Sequence, residues 1–249
     1  MPININPGDL SVDNAKLPFR EQIDFFLGKE GLKLPTEYWD DIKGEEHDTA
    51  FVVAGAQKAD LLSDFYDAVL EAIDEGQTLA WFQKEFDHIV ARHGWEHNGA
   101  ADWRARIIYQ TNLSVSYAKG RDEQLADPDL RAALPFCTYH LGNSLHHRAE
   151  HAAWDGLTLP WDHPFWALHD PVKAWGCNCW KSAAAGPVEG KSTAPREQYY
   201  EHVDRWGEVH TLPKGVDYGW DRSGSKWKPD LRKYPEPIAK SLKSDIDGA

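Results

Sequence analysis

Apolar residues recur at steps of three and four through the first half of the chain, a period that suits helices burying one face and little else. Leu62, Phe65, Val69 and Ala72 make one such stripe, in a helix expected to start at Asp48 and end at Gly76. Leu79, Phe82, Phe86 and Ile89 make a second, closed by Gly94 with His93 in its last turn, where a cation meets the negative end of the helix dipole. The connection between them is so short that the two should pack as an antiparallel pair. A third helix is expected over 101–120, burying Ile107, Ile108, Val115 and Ala118 while Arg104, Arg106 and Arg121 stay polar or paired. A shorter one over 18–28 starts on Pro18, which suits a first helical turn, and carries Ile23, Phe26 and Leu27.

Asp127-Pro128 breaks the helical period. Short mixed elements follow: a strand at 136–141, a helical turn at 148–153, a strand at 157–159 and a short helix at 164–168. After Lys181 the chain is rich in Gly, Pro and Lys and has little periodicity, apart from a last short helix over 237–244. This stretch reads as an extension clamped to the body by Trp206, Trp220 and Trp227. Residues 1–17 are polar, punctuated by Pro2, Pro7 and Gly8, and read as a flexible arm. The expected fold is therefore α+β: a helical region over 18–99, a small mixed α/β domain over 100–185, and a loop-rich extension over 186–249.

Charge narrows the partners. Against 27 Lys and Arg stand 40 Asp and Glu, a formal net charge of −13, so the average surface repels phosphate backbones and anionic lipids. Lys214, Lys226, Lys228, Arg232 and Lys233 form a local basic cluster, which reads either as a solvated tail, as a contact for an acidic partner, or as a contact with DNA. Tryptophan usage is heavy, at 12 residues, and indoles serve cores and protein interfaces equally well. Three cysteines are an odd number, and the start Met1-Pro2-Ile3-Asn4-Ile5 has neither a basic nor an apolar leader region. Both point to a protein that is not secreted and that is in a reducing compartment when made. No apolar run approaches the roughly 20 residues of a membrane span, so no membrane partner is expected.

Two clusters look chemical. His147-Arg148-Ala149-Glu150-His151 fits H-x-x-E-H, in which two histidines on one helical face bind zinc and the glutamate acts as general base. It would make the chain a zinc-dependent hydrolase, although no third carboxylate ligand follows at a suitable place and Trp154 and Gly156 shorten the helix. Cys177-Asn178-Cys179 is a C-x-C. On a flat strand its two sulfurs would point to opposite faces, so both reach one ion only if the chain turns there. With His151, and His163 or His169, the pair could complete a structural zinc site; otherwise these are two small buried residues. Cys137 reads as core. No phosphate-binding loop, dinucleotide fingerprint or nucleophile elbow is present in the sequence, and no catalytic residue is assigned.

Three blocks of residues resemble a known family. The first runs Trp103-Arg104-Ala105-Arg106-Ile107-Ile108-Tyr109-Gln110-Thr111-Asn112-Leu113, followed by Tyr117-Ala118 and Gly120-Arg121. The second is Arg148-Ala149-Glu150-His151 with Asp155-Gly156, then Asp162-His163-Pro164-Phe165-Trp166. The third is Pro171, then Trp175-Gly176-Cys177-Asn178-Cys179. In this order they resemble the phage Mu protein F-like minor head proteins, also called head morphogenesis proteins, with 100–185 as the shared domain. The lead-in through Gly94-Trp95 and the trailer Gly215-Val216-Asp217 with Gly219-Trp220-Asp221 extend the likeness over about 21–234. Three positions depart: Asp170 stands where the family usually has Pro, Asn178 where it has a basic residue, and Arg222-Ser223-Gly224 where it has Asn-Pro-Gly.

The resemblance implies a structural protein of a tailed phage or prophage, not an enzyme. Such a protein would be assembled in the host cytoplasm, present in the virion head in few copies, and associated with the portal or major capsid protein, with packaged DNA as a further contact. Some members carry a toxin domain at the carboxyl end, for which a chain stopping at Ala249 leaves little room. Arg104, Tyr109, Thr111, Asn112, Arg148, His151, Gly156, Trp166, Trp175 and Gly176 are then expected as scaffold residues: Arg148 as a bidentate donor, His151 as a bridge between backbone groups, the glycines as turns and the indoles as anchors.

Overall fold

The computed structural model describes residues 19–144 and 146–221, together with residues 239, 240 and 243. The expected arm over 1–17, Trp227, and most of the basic cluster and of the last helix lie outside the described residues. The chain runs α1 (Arg20–Leu27), β1 (Lys33–Leu34), α2 (Glu46–Thr49), β2 (Phe51–Val52), α3 (Ala59–Asp74), α4 (Leu79–His93), α5 (Ala101–Leu125) and α6 (Pro128–Ala133). It continues through β3 (Phe136–His140), α7 (Ala149–Trp154), β4 (Thr158–Pro160), α8 (Pro164–His169), β5 (Trp180–Ala184), β6 (Tyr199–Val203) and β7 (Val209–Pro213). The α+β class expected from the sequence is what the chain adopts.

Local chemistry explains most of the boundaries. Thr78 caps α4 by accepting a hydrogen bond from the Trp81 backbone N–H at 3.2 Å, and Gly94 ends it in a left-handed conformation. Asp127 caps α6 through the Leu130 N–H at 2.8 Å, with Pro128 in the first turn. The Asp127-Pro128 break is thus a restart as well as a stop. The long helix expected from Asp48 begins only at Ala59. The preceding residues instead bury Phe51 in a two-residue parallel pairing of β1 with β2, Lys33 opposite Phe51 and Leu34 opposite Val52. Thr36 fixes this corner, its hydroxyl donating to the Val53 carbonyl at 3.0 Å and accepting from the Gly55 N–H at 3.1 Å.

Two cores share one helix. In the first, Phe26, Phe51, Leu62, Phe65, Val69, Phe82, Phe86 and Ile89 pack with Ala105 and Ile108 of α5. Val115 and Ala118, from the far half of α5, join Cys137, Tyr139, Trp154, Leu159, Phe165, Trp166, Val172, Val216 and Trp220 in the second. Ile107, expected in the core, is only half-buried. Where α1 crosses α5, a side chain on Gly120 would meet the Gln22 backbone nitrogen at 2.6 Å, so the crossing depends on a glycine there.

The second core is built on a three-stranded antiparallel sheet of order β4-β3-β5, in which Cys137 faces Leu159 on one side and Ala183 on the other. Lys181 at the start of β5 ties the sheet to α5, its ammonium lying 2.8 Å from Asp122 and 2.5 Å from Asp170. The carboxyl-terminal stretch contains one element the sequence pattern did not reveal, a hairpin of β6 and β7 in which Tyr200 faces Leu212 and Val203 faces Val209. Of the expected clamps, Trp220 is fully buried, whereas Trp206 is 63% exposed at the hairpin turn, where Lys43 and Arg205 lie over its ring.

Phe65 is fully buried and stacks at 5.6 Å from Phe86, between the two helices of the pair. Phe65→Ala is expected to cost about 3–5 kcal/mol, read as a lower urea midpoint with an unchanged slope.

Candidate functional site

The Arg148–Trp180 stretch folds around one imidazole. His151 is the third residue of α7, and its Nε2 lies 2.7 Å from the Gly215 carbonyl oxygen. A carbonyl only accepts, so Nε2 carries the hydrogen and Nδ1 of the neutral ring presents a lone pair. That lone pair faces two sulfurs, Cys177 Sγ at 3.6 Å and Cys179 Sγ at 3.7 Å. All three ligand atoms lie within 4.8 Å of one another, and the residues are 3%, 3% and 5% exposed.

The C-x-C meets its geometric condition by not being a strand. A turn at Trp175-Gly176, with Gly176 at φ +67 and the Cys177 N–H donating to the Ala174 carbonyl at 3.2 Å, comes just before it, and β5 begins only at Trp180. The intervening irregular backbone turns both sulfurs toward α7. Gly215 must also be glycine, since it sits at φ +85 and an added Cβ would lie 2.3 Å from the Trp154 ring.

The two thiols behave unequally. The hydrogen bond from Cys177 holds the Cys179 thiol far below its ordinary range, helped by the Tyr139 hydroxyl and the Gly142 backbone. The same bond, together with burial, pushes Cys177 well up. The pair therefore favours a thiolate on Cys179. Cys137 is elsewhere in the core, its thiol pushed up to about 12 by burial.

Arg148 holds the same distant loop. Its guanidinium makes a two-pronged contact with Asp217, Nε to Oδ1 at 2.9 Å and Nη2 to Oδ2, and Nη2 also faces the Trp175 carbonyl at 3.5 Å. Asp217 in turn donates its backbone N–H to the Lys173 carbonyl at 3.0 Å. Gly156, at φ +78, donates its N–H to the Tyr139 carbonyl at 2.9 Å and so links α7 to β3. Trp166 donates from Nε1 to the Pro160 carbonyl at 2.9 Å, and Trp175 packs edge-on against Trp220 at 5.3 Å.

The α5 residues serve the first core instead. Arg104 is buried, bonds the Ala54 carbonyl and lies over Trp95. Tyr109 donates to the Gln77 carbonyl at 2.7 Å, and Asn112 bonds back to the Ile108 carbonyl at 2.9 Å. Thr111 and Asn112 line a cavity of about 670 Å³ bounded by α5, the 37–55 segment and residues of the carboxyl-terminal stretch such as Tyr200 and Tyr218, with the exposed rings of Tyr38, Trp39 and Trp103 among its walls.

Several expected groupings do not form. His147 is exposed and precedes α7, so it shares no helical face with His151 and the H-x-x-E-H zinc geometry is absent. His163 caps α8 through the Phe165 N–H at 3.1 Å, and His169 pairs with Glu197 at 2.9 Å. Neither joins His151 and the cysteines, so the four-ligand Cys₂His₂ set gives way to three ligands among the described residues. Two departures from the resembled family have local work to do: Asp170 pairs with Lys181, and Asn178 bonds Asn143 and accepts from the Ser144 hydroxyl at 2.6 Å.

A further group, Asp204, Glu208 and His210, was not singled out in the sequence. It is a closed turn: the Asp204 carboxylate accepts the Trp206 and Glu208 N–H groups at 3.0 and 2.9 Å and bonds His210 at 2.9 Å. These bonds, His210 foremost, hold the Asp204 carboxyl down at about 2.

A family model described as phage Mu protein F like protein matches residues 63–182. Over those residues the chain is similar to that family. The Mu F-like segment runs from within α3 to within β5 and contains His151 and both cysteines, while their partners Gly215 and Asp217 lie beyond it. Protein F of Escherichia phage Mu, whose name assigns it provisionally to capsid assembly, is 27% identical over 224 residues, 84% of this chain and 48% of its own length. The Mu-like prophage FluMu F protein of Haemophilus influenzae is 30% identical over 144 residues, 53% of this chain and 34% of its own length. The chain thus spans half or less of the curated relatives it matches. No solved structure matches it.

Two outcomes follow from this geometry. Arg148→Ala leaves Asp217 without its partner and is expected to cost about 2 kcal/mol; Arg148→Lys restores only part, because an ammonium cannot make both parallel bonds, and urea unfolding of the two variants measures the difference. Because the Asp204 carboxyl is depressed, its contribution is complete above the ordinary value near 3.9 and is lost only as pH falls through about 2. Hairpin amide signals in NMR spectra should therefore keep their positions through pH 4 and shift below about 3.

Proposed function

We propose that this chain is a minor head protein of a tailed phage or prophage, acting in head morphogenesis as a structural component. The observation that carries the reading is the match to phage Mu protein F along 84% of this chain, beside the match of the Mu F-like family model to residues 63–182. Its place is the virion head, assembled in the host cytoplasm, with the portal protein or the major capsid protein as partner. Exposed Tyr38, Trp39 and Trp103, at 46%, 46% and 52%, are suited to that partner, since aromatic rings are favoured where protein surfaces meet. A negative net charge of −13 favours a protein partner over nucleic acid. No described helix is long and apolar enough to cross a membrane.

No catalytic step is assigned. The residues that resemble a metallohydrolase signature have structural partners: His151 bonds Gly215, Arg148 bonds Asp217, and His147 stands apart from both.

Purified heads from the phage or prophage that encodes the chain should contain it by mass spectrometry at few copies relative to the major capsid protein. A nonsense mutation in its gene should reduce the yield of infectious, DNA-filled heads. Normal heads from the mutant, or heads free of the chain, would remove the proposal.

A further inference from the structure

We propose that His151, Cys177 and Cys179 bind one zinc ion, which clamps α7 to the C-x-C turn and the Gly215 loop. The inference is independent of the assignment to a phage head. It stands on donor type, orientation and spacing.

Zinc takes thiolate sulfur at about 2.3 Å and imidazole nitrogen at about 2.0–2.1 Å, usually as a tetrahedron. In such a tetrahedron the nitrogen-to-sulfur edge is about 3.5–3.6 Å. The two edges here are 3.6 and 3.7 Å.

Orientation gives the second argument. Histidine ligands to zinc commonly donate their other ring N–H to a carbonyl or carboxylate, which fixes the tautomer and aims the ligating lone pair. His151 does this through Nε2 to the Gly215 carbonyl at 2.7 Å, leaving Nδ1 toward the sulfurs. The Gly215 loop is in turn held by Arg148 on Asp217, so the ligand's support is itself supported. Two soft sulfurs with one imidazole favour zinc over magnesium or calcium, which prefer oxygen.

The role is structural. The three ligands are at most 5% exposed, and none of them lines the cavity beside α5. The three described ligands leave the fourth tetrahedral position open to a further ligand such as water. On binding, any proton still held by either sulfur is released to solvent, so both sulfurs meet the ion as thiolates.

The test is metal analysis of the full chain, purified without chelator from zinc-supplemented culture, beside titration of its free thiols. Zinc is expected in equimolar amount. It should fall to background in Cys177→Ser/Cys179→Ser and persist in Cys137→Ala, whose thiol lies outside the cluster. Cobalt loading of the unmutated, reduced protein gives a readout independent of whether a variant folds: thiolate-to-cobalt charge-transfer absorption with the visible bands of tetrahedral cobalt. Absence of zinc together with a cobalt spectrum lacking thiolate charge transfer would overturn the proposal. So would full zinc content in the double-serine variant, or a Cys177–Cys179 disulfide in protein purified under reducing conditions.

Discussion

The structure depends first on α5, a 25-residue helix that belongs to both cores. Its first half gives Ala105 and Ile108 to the helical layer and its second half gives Val115 and Ala118 to the layer around the sheet. At 1.5 Å per residue it is about 38 Å long, enough to run through both. Neither layer has a complete apolar wall without it. The contact of Gly120 with α1 and the Lys181 bridge to Asp122 then set the position of the elements on either side of this spine.

From that spine the second core closes on the tail of the chain. Arg148 and His151, on and just before one short helix, reach Asp217 and Gly215 across 69 and 64 residues. Both contacts are polar and directional where the surrounding packing is aromatic, so they select one placement for a loop that hydrophobic burial alone would hold loosely. Residues that read as catalytic in isolation are here the fasteners of an otherwise loop-rich region.

The helices were legible because their signals are local. Thr78, Gly94 and the three-and-four spacing between them mark α4 within a residue. The start of α3 was not legible, since Phe51 is as suitable for a helix stripe as for the short pairing with β1, and only its register with Lys33 decides between them. The β6–β7 hairpin was hidden because Tyr199, Val203 and Val209 put apolar side chains on its exposed side and blur the alternation. The site was legible in kind but not in membership. Cys177, Cys179 and His151 were visible as donors, yet their meeting depends on a turn at Gly176 and on Gly215, which spacing does not reveal. The exclusion of His163 and His169 rests on local partners, the α8 cap and Glu197, that no motif announces.

Electron cryomicroscopy of heads made with and without this chain tests its place in the virion most directly. A difference map should show density of this fold beside the portal or on the inner face of the shell. A map with no difference in the head, or with the chain located in the tail, would contradict the assignment.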